Sequence, residues 1–519
     1  MKLVRFCISL IAVTAICVVG FAGNGWTAQK GGSLFYAQAG GHETFDCAVA
    51  NDNMSEEVNR MIYDKLIEFT PDLKLKPTLA TKWETSSDGI TWTFYIREGV
   101  KFHDGTVCDA NAVKFNFDRW IGAEKPYKAY GLFGPVVKAA EVVDDYTLKV
   151  HMKVPFSSLT AYLAHSAAGI QSPTHFKKVG KDGVAINPVG TGPFKYKEWV
   201  KGDHVTLVRN EDYWDGPAYL DAVIIKPVVE EATRVMQLKA GQIQATTKIP
   251  AELYEQLKKD KKLTVGTTPT NAGMYVQINN YKKPFNDVRV RQAICYAIDK
   301  KAIVEGLFQG RAEYMSSCNA PIVQDAYQPH PFEYNPERAK QLLAEAGYPN
   351  GFSCAFWTPS GRIPKDTEIT QLIQKYLAAV GIQVKIQVFE WVTYLQENRK
   401  PPGEAKYDLC LMKWAPSTGE SRWQLYLAWT TEKWPMAGAN RGLYSNPAFD
   451  KLVELGTSAP TDELRHAYYR AAQIVLAEDA AMAPLCAPHG ITATSSKLHG
   501  FVFSPLELNF ATNKTWLEK

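Results

Sequence analysis

Glu368-Ile369-Thr370-Gln371-Leu372-Ile373-Gln374-Lys375-Tyr376-Leu377-Ala378-Ala379-Val380-Gly381-Ile382-Gln383-Val384-Lys385-Ile386-Gln387-Val388 joins two periods through one glycine. Glu368 to Val380 has the pattern of a helix, which Gly381 terminates. Val384, Ile386 and Val388 then alternate with polar residues, the period of a half-buried strand. Upstream, Asn335-Pro336-Glu337 pairs a capping side chain with a first-turn proline. The helix it opens turns Leu342, Leu343 and Ala346 inward and ends at Gly347. Asp287 to Phe308 places Val290, Ala293, Ile294, Ala297 and Ile298 on one helical face, with Gly310 as its stop. Asn446-Pro447 opens a further helix, and 461 to 477 is one more. The first half is richer in strands: Ser33 to Ala37, Thr91 to Ile96, a hairpin from Glu141 to Met152 about Asp144-Asp145, then 204–209 and 222–229. A helix capped by Asp109 buries Val113, Phe117 and Trp120, and Glu231 to Ala240 forms another. Strands alternating with helices make the fold class α/β, with a change of style near residue 281.

The chain has 519 residues, room for roughly two to four domains. Its 46% hydrophobic and 22% charged residues are a globular balance, which excludes disorder and fibrous repeats. The net charge of +4 comes with no long basic stripe, so a nucleic-acid partner has no electrostatic support. Lys2 and Arg5 precede an apolar run from Phe6 to Phe21 and small or polar residues to Ala28. That order is a secretory signal peptide over 1–28, with cleavage expected after Ala22 or Ala28. Seven cysteines remain without Cys7 and Cys17, none spaced as CxxC. They read as small buried hydrophobes, with one disulfide left open.

Searches for catalytic constellations fail. Gly190-Thr191-Gly192 begins like a dinucleotide loop, but Lys195 stands at the third glycine's place and Pro193 blocks the helix. No Walker loop, GxSxG elbow or HExxH occurs, and the histidines lack metal-ligand spacing. No enzyme activity, metal or cofactor is implied. An exported peptide hydrolase, the alternative class, needs a nucleophile–base pair or a metal cluster that these residues do not offer.

Several blocks carry a resemblance: Thr78-Leu79-Ala80-Thr81-Lys82-Trp83; Asp88-Gly89 to Gly99-Val100-Lys101-Phe102-His103-Asp104-Gly105; Pro188-Val189-Gly190-Thr191-Gly192-Pro193-Phe194; Asn210-Glu211-Asp212-Tyr213-Trp214; and Pro284-Phe285-Asn286-Asp287-Val288-Arg289-Val290-Arg291-Gln292-Ala293. In this order they resemble the peptide/nickel class, family 5, of extracytoplasmic solute-binding proteins. The resemblance implies a two-lobed, type II-like periplasmic-binding-protein fold with an additional domain. Lobe I would comprise 29–60, 186–280 and 491–519, the extra domain 61–185, and lobe II 281–490. It also implies a monomeric periplasmic receptor. That receptor binds a small peptide or peptide-like solute between its lobes and delivers it to ABC transporter permease subunits in the inner membrane. Nickel chelate, haem, opine or oligosaccharide remain as other cargoes on the same fold.

The quoted blocks read mostly as structural, with glycines at turns and aromatics in packing. The ligand contacts are expected from cleft loops, above all Leu411-Met412-Lys413-Trp414-Ala415-Pro416-Ser417-Thr418-Gly419-Glu420-Ser421-Arg422-Trp423. In peptide-binding relatives a Gly-Trp pair ends a strand here and an aspartate follows to receive the peptide's α-ammonium. An enclosed ammonium needs such a charge. Ser417 stands in the aspartate's place, Thr418 follows it, and Glu420 is the nearest replacement carboxylate. The run is more similar to the branch that includes glutathione-binding receptors, although Lys413 replaces the glycine before Trp414. By the same resemblance Arg362 would bind a ligand carboxylate, since its fork donates two parallel hydrogen bonds. Trp391 would border the pocket, and the Gly41-His42 loop would approach it from lobe I, more by backbone than by side chain.

Overall fold

The computed structural model describes residues 28–122 and 128–519, so the expected signal peptide lies, but for Ala28, outside the described residues. Two large sheets organise the chain. The first has the order Leu263–Thr268, Gly490–Ser495, Ala245–Thr247, Ser33–Gln38, Ala222–Pro227, His204–Arg209, Phe194–Val200. The second has the order Ala312–Tyr314, Met482–Pro488, Gly273–Ile278, Leu409–Trp414, Phe352–Pro359, Ile382–Phe389. A smaller antiparallel sheet, Ala80–Thr85, Thr91–Ile96, Thr147–Met152 and Val137–Asp144, belongs to the extra domain. The helix Ala110–Ile121 covers it. Asp109 accepts a hydrogen bond from the Ala112 amide at its start, and Val113, Phe117 and Trp120 are fully buried.

The stretch at 368–388 spans the crossover helix and the second strand of a parallel pair. Helix Asp366–Ala379 links Phe352–Pro359 to Ile382–Phe389, which pair in parallel from Phe352↔Ile382 to Pro359↔Phe389. Ile369, Ile373 and Leu377 face the sheet and are fully buried. Gly351 precedes the first strand and Gly381 the second, at φ 72° and 95°. A Cβ on Gly351 would sit 1.9 Å from the Gly381 carbonyl oxygen, so this backbone contact requires glycine.

The chain crosses between the large sheets twice. Leu263–Thr268 runs into Gly273–Ile278 through 269–272, and Met482–Pro488 runs into Gly490–Ser495 through His489. The Thr270 hydroxyl donates to the Pro488 carbonyl at 2.7 Å and ties the two crossings together. The first crossing corrects the expected boundary between 280 and 281. Gly273–Ile278 pairs with Leu409–Trp414 and Met482–Pro488, inside the second lobe. The strand is buried at every position, so it has no alternation to reveal it. What changes near 281 is the first helix of the lobe. That helix is also shorter than expected: Val288–Ala297 ends where Ile298 turns extended. Asp299 then caps a fresh turn, Lys300–Ala302, and a π-helical turn follows over Ile303–Leu307.

The recurrent blocks of the first half meet around one carboxylate. Asp64 accepts hydrogen bonds from Thr191 Oγ1 at 3.0 Å, Tyr213 OH at 3.1 Å and Trp214 Nε1 at 2.9 Å. A Cβ on Gly190 would lie 2.1 Å from the Ile62 carbonyl, and the Gly192 amide donates to that same oxygen at 2.8 Å. Arg97 packs over the Trp214 ring at 4.3 Å. These residues join the extra domain to the first lobe. Among the described residues the seven cysteines are all buried and unpaired, as small hydrophobes would be.

Candidate ligand cleft

Strand Leu409–Trp414 lies inside the second sheet; its first four positions are buried and its last two half-buried, with Trp414 still packed against the core of the second lobe. Lys413 Nζ lies 3.3 Å from Glu507 Oε1. Glu507 sits in the turn between Val502–Phe503 and Asn509–Phe510, a hairpin fastened to the first lobe. The Asn509 amide and side chain both donate to Glu57 of helix Asn53–Ile62 at 3.0 Å. The Lys413 ammonium holds the Glu507 carboxyl below the usual carboxylate range, helped by Lys248 and Arg362. Lys413 is the cation in contact with this carboxylate; Lys248 and Arg362 act on it only through their field.

Arg362 is exposed, and its guanidinium lies 5.3 Å from the Trp391 ring centre. Trp391 in turn stacks on Tyr394 at 5.9 Å. Trp414 has the buried guanidinium of Arg441 over it at 5.8 Å. The loop after Trp414 is anchored at the hinge, because Asn271 Nδ2 donates to the Pro416 carbonyl at 2.8 Å. It also pairs with Gln324, whose amide donates to the Gly419 carbonyl at 3.0 Å and whose carbonyl accepts from the Ser421 amide at 2.9 Å. Gly419 sits at φ 67°, and a Cβ there would come within 3.2 Å of Phe69.

Glu420 is 2% exposed. Ser158 of the extra domain donates to its Oε2 at 2.8 Å, and burial pushes the carboxyl up to about 7. Among the described residues its Oε1 has no hydrogen-bond partner, and neither do Thr418 Oγ1, Asn271 Oδ1, Gln324 Oε1 and Trp414 Nε1. Buried polar atoms are normally paired. Five such exceptions lie along this loop and its neighbours, and others are buried elsewhere in the molecule. Arg422 closes the same seam: it donates to Tyr162 OH at 2.7 Å and Thr457 Oγ1 at 3.1 Å, with the Phe156 and Tyr426 rings each 4.7 Å away.

Arg362 and Trp391 therefore form one contact group and Lys413 with Glu507 another, while Trp414, Thr418 and Glu420 lie along the adjoining loop with the half-buried Ser417. The Gly41-His42 loop is not brought to them. Gly41 is exposed, but His42 turns into the first lobe between Phe45 at 4.0 Å and Trp199 at 5.0 Å. The loop folds back because the Glu43 and Thr44 amides donate to Ser55 Oγ. Burial pushes the His42 imidazole down to about 3, so it is a neutral aromatic core residue. Lys248 and Glu507 were not singled out from the sequence. Lys248 follows strand Ala245–Thr247 directly, and the C-terminal ends of strands are where α/β ligand sites gather. Glu507 carries no local signal at all.

Residues 74–435 match the bacterial extracellular solute-binding proteins, family 5 Middle. The chain belongs to this family. The glutathione-binding protein GsiB of Pectobacterium atrosepticum is 35% identical over 461 residues, 88% of each chain. That of Escherichia coli K12 is 34% identical over 466 residues, 89% of this chain and 90% of its own. Among solved structures, HbpA2 of Haemophilus parasuis superposes with a TM-score of 0.84 at 27% identity, covering 94% of this chain and 100% of its own. DppA from Helicobacter pylori in complex with the peptide STSA gives 0.76 at 30% identity, covering 95% and 99%. GsiB and DppA are named as binding proteins. No group of three or more His, Cys, Asp or Glu side chains able to hold a metal occurs among the described residues.

Proposed function

We propose that this family 5 receptor captures a glutathione-like solute, with two carboxylates and one ammonium, and delivers it from the periplasm to an ABC permease as a monomer. The observation that carries the reading is the Lys413–Glu507 pair at 3.3 Å across the lobes, whose carboxylate also feels the positive field of Lys248 and Arg362. That excess of cations leaves positive charge to spare for ligand carboxylates. At the other end, the unpaired Glu420 Oε1 and Thr418 Oγ1 suit the hydrogens of an ammonium or an amide. Trp391 and Trp414 supply apolar walls for the stem between the charged ends. Closure of the lobes removes water from these pairs and strengthens them. The names of the relatives in the glutathione-binding branch support the same cargo.

Titration calorimetry with reduced glutathione and with a simple dipeptide tests the reading. Glutathione should bind at least tenfold more tightly; equal or tighter dipeptide binding would overturn it. Mass spectrometry of the recovered solute separates the receptor from a hydrolase, because a receptor returns the ligand intact.

A further inference from the structure

We propose that the segment 251–258 is an electrostatic clasp that holds the two lobes together before any ligand arrives, with a grip set by ionic strength. It comprises the turn Ala251–Leu253 and the short helix Tyr254–Lys258, between strands Ala245–Thr247 and Leu263–Thr268 of the first lobe. Two of its carboxylates reach cations of the second lobe. Glu252 pairs with Lys365, which caps helix Asp366–Ala379. Glu255 Oε1 lies 2.5 Å from Nη2 of Arg311, whose guanidinium also covers the Tyr254 ring at 4.1 Å. The Lys365 ammonium holds the Glu252 carboxyl below its ordinary range, as a formed pair requires.

These contacts have a common polarity. In Lys365–Glu252, Arg311–Glu255 and Lys413–Glu507 the cation belongs to the second lobe and the carboxylate to the first. Alternating polarity would fix one register; a uniform polarity attracts the lobes over a range of small displacements. Each clasp cation also keeps a partner on its own lobe. Lys365 has Glu368 at 3.7 Å, and Arg311 Nη1 donates to Gln309 at 2.8 Å. Opening therefore strands neither charge. Glu252 and Glu255 are more than half exposed, at 56% and 62%. Exposed pairs are weak singly, so the two together should shift the closed-to-open ratio by roughly two- to tenfold.

Small-angle scattering of the ligand-free protein tests the clasp. Raising salt from about 10 mM to about 1 M shortens the screening length from about 30 Å to about 3 Å. The radius of gyration of the wild type should rise across that range. The Glu252→Gln/Glu255→Gln variant should be less compact than wild type at low salt and change less with salt, since only the Lys413–Glu507 pair remains. Glu252→Lys combined with Lys365→Glu should restore the compact low-salt form, because it exchanges the charges without removing the pair. A wild-type radius that does not change with salt overturns the proposal. So does a neutralised variant that is as compact as wild type at low salt. Neither readout involves ligand, so failure here leaves the proposed cargo untouched, and the wild-type titration stands even if a variant fails to fold.

Discussion

Glu420→Gln should stabilise the protein while weakening its hold on ligand, and both effects should fade in acid, where the wild-type carboxyl is itself protonated. The carboxyl is 2% exposed, with Ser158 on one oxygen and nothing on the other. Burial lifts it from 4.5 to about 7; Arg422 and Arg465 pull it down and Asp325 pushes it up, but desolvation dominates. A folded value above the unfolded one means the group's contribution is fully present below about pH 4.5 and is lost as pH rises through about 7. At roughly 1.4 kcal/mol per tenfold change in proton activity, the ionised carboxylate costs about 3 kcal/mol. Glutamine keeps an acceptor for Ser158 and never ionises. Urea denaturation at about pH 8 should therefore show the variant more stable by about 3 kcal/mol, shrinking to a few tenths at about pH 4. Glu57, which burial also raises to about 7, is common to both proteins and cancels. Glutathione binding at about pH 8 should instead weaken by roughly tenfold or more, since the ammonium loses its charged partner. A stability difference that is equal at both pH values would refute the desolvation argument. Tighter ligand binding by the variant would refute the ammonium assignment.

Lys413→Ala and Arg362→Ala should each cut glutathione affinity by about tenfold or more in calorimetry, whereas Lys451→Ala, whose exposed side chain pairs only with Glu454 at 2.8 Å, should do nothing measurable. Ser417→Asp should move preference toward dipeptides with a free N-terminus, read as the ratio of dipeptide to glutathione affinity. His42→Phe should leave ligand affinity unchanged, because the ring lies among Phe45 and Trp199. That variant should also gain stability as pH falls below about 6. The folded imidazole at about 3 takes up its proton only on unfolding, and the wild type loses stability there.

The parts of the fold legible in the sequence were those with a period or a cap. Asp109, Asn335 and Asn446 all accept amide hydrogen bonds at helix starts, and the helix and strand of 366–389 follow their two periods. Gly273–Ile278 was hidden because every position is buried. Ile298 looked helical by hydrophobic spacing, yet Asp299 capped a new turn behind it, a local competition that periodicity does not see. At the site, the Lys413–Glu420 loop could be found because it resembles the segment of peptide-binding relatives in which a tryptophan ends a strand and an aspartate follows. Glu507 could not, since its role depends on a hairpin from the far end of the chain meeting Lys413. The Gly41-His42 loop was placed by its position after the first strand, which does not show that the His42 ring turns in between Phe45 and Trp199.

The double crossing also orders the assembly of the molecule in time. Every strand of the second large sheet lies between 273 and 488, so that lobe has all its strands once the chain has emerged to Pro488. The first sheet does not. Gly490–Ser495 fills the place between Leu263–Thr268 and Ala245–Thr247, and until it arrives both neighbours present bare backbone edges. A chain appearing N-terminus first thus carries one finished half beside one that waits for its last-made residues. During that interval the edge of Ala245–Thr247 is an open template for a foreign strand. A nascent chain halted before residue 490 is therefore the species that holding chaperones should recognise best.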